Sequence, residues 1–215
     1  MKKHAFTILT IVFSVLLFVA SVPSFAEDMK GIAEVPQSVK VKLALRDLYS
    51  GHIFWVRNVV FATKYGNKAA AKVAEEQVVQ NAKAIGDSIT PYYGKDASEK
   101  LFKLFAGHYG AVKDYMNATF AGKKGAQKAA VDKLTKNADE LATFLSSANP
   151  NWPKDTLFSA LVAHGGHHIA QIDDLSKKDF ASEAKIWETM KEHMFVIADL
   201  LADGIVKQFP EKFMK

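Results

Sequence analysis

Residues 45–82 (LRDLYSGHIFWVRNVVFATKYGNKAAAKVAEEQVVQNA) align without a gap on residues 101–138 (LFKLFAGHYGAVKDYMNATFAGKKGAQKAAVDKLTKNA), an offset of 56, with 14 of 38 positions identical. Unrelated sequences match at about two or three positions over such a length, so the two stretches read as a duplication. A further step of 56 reaches a fainter third copy, in which Leu157, Phe158, His164 and Gly166 match Leu101, Phe102, His108 and Gly110. A chain of this kind repeats one supersecondary unit, and each unit buries its apolar face against its neighbours.

The unit reads as a helical hairpin. Its first arm carries apolar residues at helical spacing around a histidine: Leu45, Tyr49, His52, Val56, then Leu101, Phe105, His108, Val112, then Leu157, Leu161, His164, His168. The second arm repeats the pattern as Val78, Asn81, Ile85, Ile89, then Leu134, Asn137, Leu141, Leu145, then Met190, His193, Ile197, Leu201. Gly66 and Gly122 mark the turns of the first two units and Lys178-Asp179 the turn of the third. Between units, TPYYGKD and SSANPNWPKD carry the proline and glycine that stop helices. The spacing predicts an all-α protein, an up-and-down bundle of about six helices made of three tandem hairpins. The units fall at 42–97, 98–153 and 154–215, together one domain, after a lead-in over 27–41.

A polar layer runs through this pattern. His52 and Asn81 lie equally far from their turn, as do His108 with Asn137 and His164 with His193, so each pair should sit side by side in antiparallel arms. An unpaired buried polar group costs about 1–3 kcal/mol, so partners are required. Asn81 and Asn137 suit that role because a carboxamide offers both donor and acceptor to an imidazole. The third unit departs from the template: His193 stands in place of Asn, and His168 in place of the valine one turn beyond the histidine. His164 and His168 share a helix face with His193 opposite, a set of three imidazoles that suits zinc, copper or iron. If the three hairpins close on one axis, His52 and His108 join the same layer. The competing reading is a purely structural set of paired core histidines. Within LVAHGGHHIAQ (161–171) Gly166 matches Gly110 of the second unit and Gly165 is new; two adjacent weak helix formers would either let a neighbouring helix approach closely or let this helix bend locally to aim His164 and His168 together.

The N-terminus, MKKHAFTILTIVFSVLLFVASVPSFAED, has two lysines, an apolar run and small residues at Ser24 and Ala26, the pattern of a secretory signal peptide over 1–26. No later run is long and apolar enough for a membrane span, which points to a secreted location, the periplasm in a Gram-negative cell. Cysteine is absent, which excludes thiol catalysis, thiolate metal sites and covalent haem attachment. The net charge of +5 falls to about +3 once Lys2 and Lys3 leave with the signal, and the lysines are scattered, so no nucleic-acid surface is expected.

The Glu-x-x-His pairs of di-iron carboxylate bundles and the LTxxQ repeats of helical-hairpin stress chaperones are missing. No GxSxG elbow, SxxK pair or phosphate-binding glycine loop is present. Trp55 reads as core or rim and Arg57 as a surface ion-pair partner, with a ligand pocket beside His52 as the alternative for both, and Tyr92, Tyr93 and Trp152 read as aromatic caps at the hairpin ends. The stretches LRDLYSGHIFWVRNVV, SSANPNWP and GIVKQFPEKF resemble a group of small bacterial all-helical proteins without an established activity, and this resemblance implies no site or reaction. The expected function is binding, storage or sensing of a transition-metal ion or metal cofactor. His164, His168 and His193 are the first candidate ligands, His52 and His108 further ones, and Asn81 and Asn137 their supporting partners. Non-covalent haem is a lesser option. No general base accompanies the cluster, which argues against an enzyme. The alternative is an interaction module that binds a peptide or an envelope protein, with a structural His/Asn layer.

Overall fold

The structure, a computed structural model, describes residues 35–214. The segment 1–26, expected to be a signal peptide, and the first part of the lead-in lie outside the described residues. Within them are six α-helices and no strand: α1 Gln37–Lys64, α2 Lys68–Ser88, α3 Thr90–Phe120, α4 Lys124–Ala148, α5 Lys154–Lys177 and α6 Phe180–Gln208, followed by a 3-10 turn Pro210–Lys212. The helix α1 begins five residues earlier than the expected start of the first hairpin at 42, directly after Pro36, whose extended backbone precedes its first turn. No helix among the described residues is long and apolar enough to cross a membrane.

The helices form an up-and-down bundle. Consecutive helices pack against each other, and α6 packs on α1, so the sequence of neighbours closes into a ring. The odd helices α1, α3 and α5 also touch one another, whereas the even helices sit between them. The first arms of the three hairpins are thus the inner helices, and the second arms the outer ones.

The three turns share one backbone solution. Gly66, Gly122 and Lys178 have φ of 70°, 67° and 62°. The following amides, of Asn67, Lys123 and Asp179, each bond a carbonyl five residues back, at Ala62, Ala118 and Asp174, all at 2.9 Å. With the 3.1 Å bonds that the Gly66, Gly122 and Lys178 amides donate to the Thr63, Thr119 and Leu175 carbonyls, they form the Schellman arrangement, which satisfies the orphan carbonyls of the ending helix and reverses the chain. Asn67 and Asp179 then accept a bond from the amide of Ala70 and of Ser182, respectively, and so open the second arm.

In the connection between the first two hairpins, α2 ends at Ser88 just before TPYYGKD. Pro91 occupies the first turn of α3, where a missing N–H costs nothing, and Gly94 at φ 82°, ψ 175° leaves the helical region, so α3 is two helical segments joined at a kink and the glycine interrupts the helix as its sequence reading expects. At this end of the bundle Tyr93 packs on Trp152 and Phe209, and Tyr92 on Phe209 and Phe213, so the aromatic residues cap the core. Trp152 is buried and lies directly over Gly204, where any added Cβ would come within 1.9 Å of its indole nitrogen.

The core is divided. One cluster, with Leu45, Tyr49, Ile53, Phe105, Leu141 and Met194 among its members, fills the capped end. A second, with Val56, Val60, Val112, Met116, Leu134 and Leu175, fills the end nearer the hairpin turns. The histidines of the inner helices lie between the two.

Lys178 is the sole non-glycine residue with positive φ among those described. An L-residue there costs about 1–2 kcal/mol, of which the greater unfolded-state freedom of glycine returns a part. Lys178→Gly is expected to raise the unfolding free energy by about 0.5–1 kcal/mol, seen as a higher urea midpoint at unchanged slope. A lower midpoint would contradict the shared-turn argument.

Candidate metal centre

Four buried histidines, His52 on α1, His108 on α3, and His164 and His168 on α5, bring one ring nitrogen each to within 4.8 Å of one another. Every pair of rings is in contact, with centroids from 4.5 Å (His164–His168) to 5.8 Å (His52–His108) apart. The three inner helices deliver this arrangement because each places its repeated histidine at the same height, and α5 adds a second one helical turn on.

The outer-helix residues of the expected pairs do something else. Asn81 Nδ2 donates to the Leu48 carbonyl at 2.9 Å, Asn137 Nδ2 to the Leu104 carbonyl at 2.9 Å, and His193 Nε2 to the Ala160 carbonyl at 2.8 Å. All three acceptors lie one turn before the inner histidine of their own hairpin. Asn81 and Asn137 therefore do not pair with His52 and His108. A Cβ at Gly51 would lie 3.0 Å from Asn81 Nδ2, and one at Gly107 3.2 Å from Asn137 Nδ2, so the glycine beside each histidine admits the amide to the backbone. His193 is likewise not in the group of four: it stands on an outer helix, its Nε2 proton is committed to a carbonyl, and its ring packs on the half-buried His167 at 5.1 Å. His193 fills the structural role of the asparagines, and His52 and His108 join His164 and His168 instead.

The ring nitrogens of the group are poorly satisfied. His168 Nε2 lies 3.1 Å from His164 Nε2, so one donates and the other accepts. His52 has no partner at either ring nitrogen, and His108 Nε2, His164 Nδ1 and His168 Nδ1 have none. Burial holds all four neutral: His52 is pushed down to about 3, with the neighbouring His108 adding to the effect, and His108 to about 4. His164 and His168 are driven well below the usual imidazole range, first by burial and then by the other rings. Neutral imidazoles with free lone pairs are the form in which histidine binds a metal.

A tetrahedral ion with bonds of about 2.0–2.1 Å holds its nitrogens roughly 3.3 Å apart. The His164–His168 pair already meets that separation, and the wider ones need the rings to draw in by about an ångström or so. Haem does not fit. The four rings are in mutual contact, and the neighbouring cavity between Tyr49, Phe105, Leu145 and Leu201 holds about 20 Å³, room for a water and not for a porphyrin.

Toward the hairpin turns lies a group that sequence reasoning missed. Glu183, 1 % exposed, accepts two hydrogen bonds from Arg57 at 2.6 and 2.7 Å and one from the buried Gln171 at 3.0 Å. Arg57 also lies over the Trp187 ring at 5.0 Å. Glu183 stands seven residues before Met190, itself seven before Ile197, so extending the apolar face of α6 toward its start would have located it. Its charge is answered by Arg57, and no carboxylate belongs to the histidine group. No family model matches the chain, and neither a curated protein nor a solved structure matches it.

These depressed values link stability to pH. In the unfolded chain the imidazoles take up protons near pH 6.5, whereas folded His52 and His108 wait until about pH 3 and 4. Between those limits the unfolded state binds more protons. Stability is full above about pH 6.5 and is lost as pH falls toward the folded values. Each of the two groups should remove about 2 kcal/mol between pH 7 and pH 5 in chelator-treated protein. A urea midpoint that stays flat over that interval would show the rings are not held neutral.

Proposed function

We propose that this protein is a secreted metal-binding bundle that holds one transition-metal ion, zinc, copper or iron, on His52, His108, His164 and His168. The observation that carries the reading is a convergence of four neutral imidazoles whose nitrogens largely lack other partners. A layer serving stability alone would be expensive: each buried, unsatisfied polar atom costs about 1–3 kcal/mol, and His52 has two. A bound ion answers one nitrogen of every ring at once.

Four protein ligands describe a closed site, the form found where a metal is held rather than used in catalysis. With no carboxylate in the group to act as a base, binding, storage or sensing fits better than hydrolysis. Secretion is proposed on the N-terminal segment, with the periplasm as the destination in a Gram-negative cell. The competing role, an envelope-protein interaction module with a structural layer, has the His164–His168 hydrogen bond in its favour. It leaves His52 unexplained.

Metal analysis by mass spectrometry of untagged mature protein, followed by titration with Zn²⁺, Cu²⁺ and Fe²⁺, tests the proposal. An ion at 100 times its dissociation constant should add about 2.7 kcal/mol of stability. His52→Leu is expected to abolish that gain and leave the metal-free form at least as stable as the wild type, because it removes two unsatisfied atoms from the core. His193→Ala should keep the gain. Loss of binding in His193→Ala alone, or no stabilisation of the wild type by any of the ions, would rule out the four-histidine centre.

A further inference from the structure

The paired glycines of α5 have no role in the packing. Neither Gly165 nor Gly166 has positive φ, so the backbone does not demand glycine. A Cβ built on either meets nothing within 4 Å, so no neighbouring helix demands it either. Two glycines in mid-helix nonetheless cost about 2 kcal/mol relative to alanine. What they do is leave space. Between α4 and α5 a cavity of about 140 Å³ is walled by Val131, Leu134 and Thr135 on one side and Leu161, Gly165 and Gly166 on the other, and it reaches His108.

We infer that the Gly165–Gly166 gap is the port through which a partly hydrated metal ion reaches His108 and from there the centre. The inference rests on the metal-binding reading above. At about 30 Å³ per water, the cavity accommodates an ion with a few of its waters, which the imidazoles then replace. Thr135 and Gly166 are exposed at its mouth, whereas His108 is buried. The cavity on the capped side of the histidine layer is a poorer route, since it holds about 20 Å³ behind largely apolar walls. Side chains at 165 and 166 would extend into the gap and obstruct it.

Cobalt(II), a spectroscopic substitute for zinc, provides the test. Stopped-flow mixing of Co²⁺ with chelator-treated protein follows the visible absorption of the tetrahedral complex, and equilibrium titration gives the affinity. In the double variant Gly165→Leu/Gly166→Leu, loading should slow at least tenfold with the final spectrum kept and the affinity within about twofold of wild type. The metal-free thermal midpoint should not fall, since leucine is the better helix former. Thr135→Trp obstructs the gap from the other wall and should slow loading in the same way; it decides the matter if the glycine variant fails to fold. Wild-type loading rates in the obstructed variants overturn the port and leave the centre standing. A wild-type protein that takes up no Co²⁺ overturns both.

Discussion

Three side-chain donors on the outer helices hold this bundle in register. Asn81, Asn137 and His193 each reach across their hairpin to a carbonyl one turn before the inner histidine. A helix carbonyl has a second lone pair free after its own i+4 bond, so the outer arm is anchored without breaking the inner helix. Apolar packing alone tolerates small slides along an axis, whereas a donor that misses its carbonyl leaves a polar group unpaired. The recurrence of this bond places the inner histidines at one height. The histidine centre is a consequence of that register.

The same constraint accounts for the division of the core. Apolar clusters lie on either side of the imidazoles, and the one buried carboxylate nearby, Glu183, is answered in full by Arg57 and Gln171. The imidazoles have no such answer within the protein: one shared hydrogen bond serves His164 and His168, and His52 has none. Burial keeps them neutral and so preserves their lone pairs. Stability and ligand chemistry therefore pull in opposite directions in this layer, and the cation proposed for it would reconcile them.

Much of the architecture was legible from the chain. Helical periodicity around Leu45, Tyr49 and Val56 and its counterparts gave the arms, and Gly66, Gly122 and Lys178-Asp179 gave the turns, because glycine spacing reports where positive φ is needed. Lys178 was findable despite its side chain only through the alignment with the two glycines. In TPYYGKD the proline is compatible with the first turn of a helix, whereas Gly94, at positive φ, interrupts the helical backbone as a glycine between units suggests. Glu183 was overlooked because a carboxylate on an apolar face is unexpected until its arginine partner, distant in sequence, is in place.

The histidine assignments show where the limit lies. Sequence alone determined that His52, His108 and His164 occupy equivalent positions, that His168 is an addition one turn on, and that position 193 corresponds to Asn81 and Asn137. Spacing within a hairpin reports height along the axis, and it reported that correctly. It carries no information about which arm faces the centre of a three-hairpin ring. Only the packing of α1, α3 and α5 against one another, closed by α6 on α1, decided that the first arms are inner. That choice brought His52 and His108 into the group and left His193 on the outer ring, bonded to a backbone carbonyl.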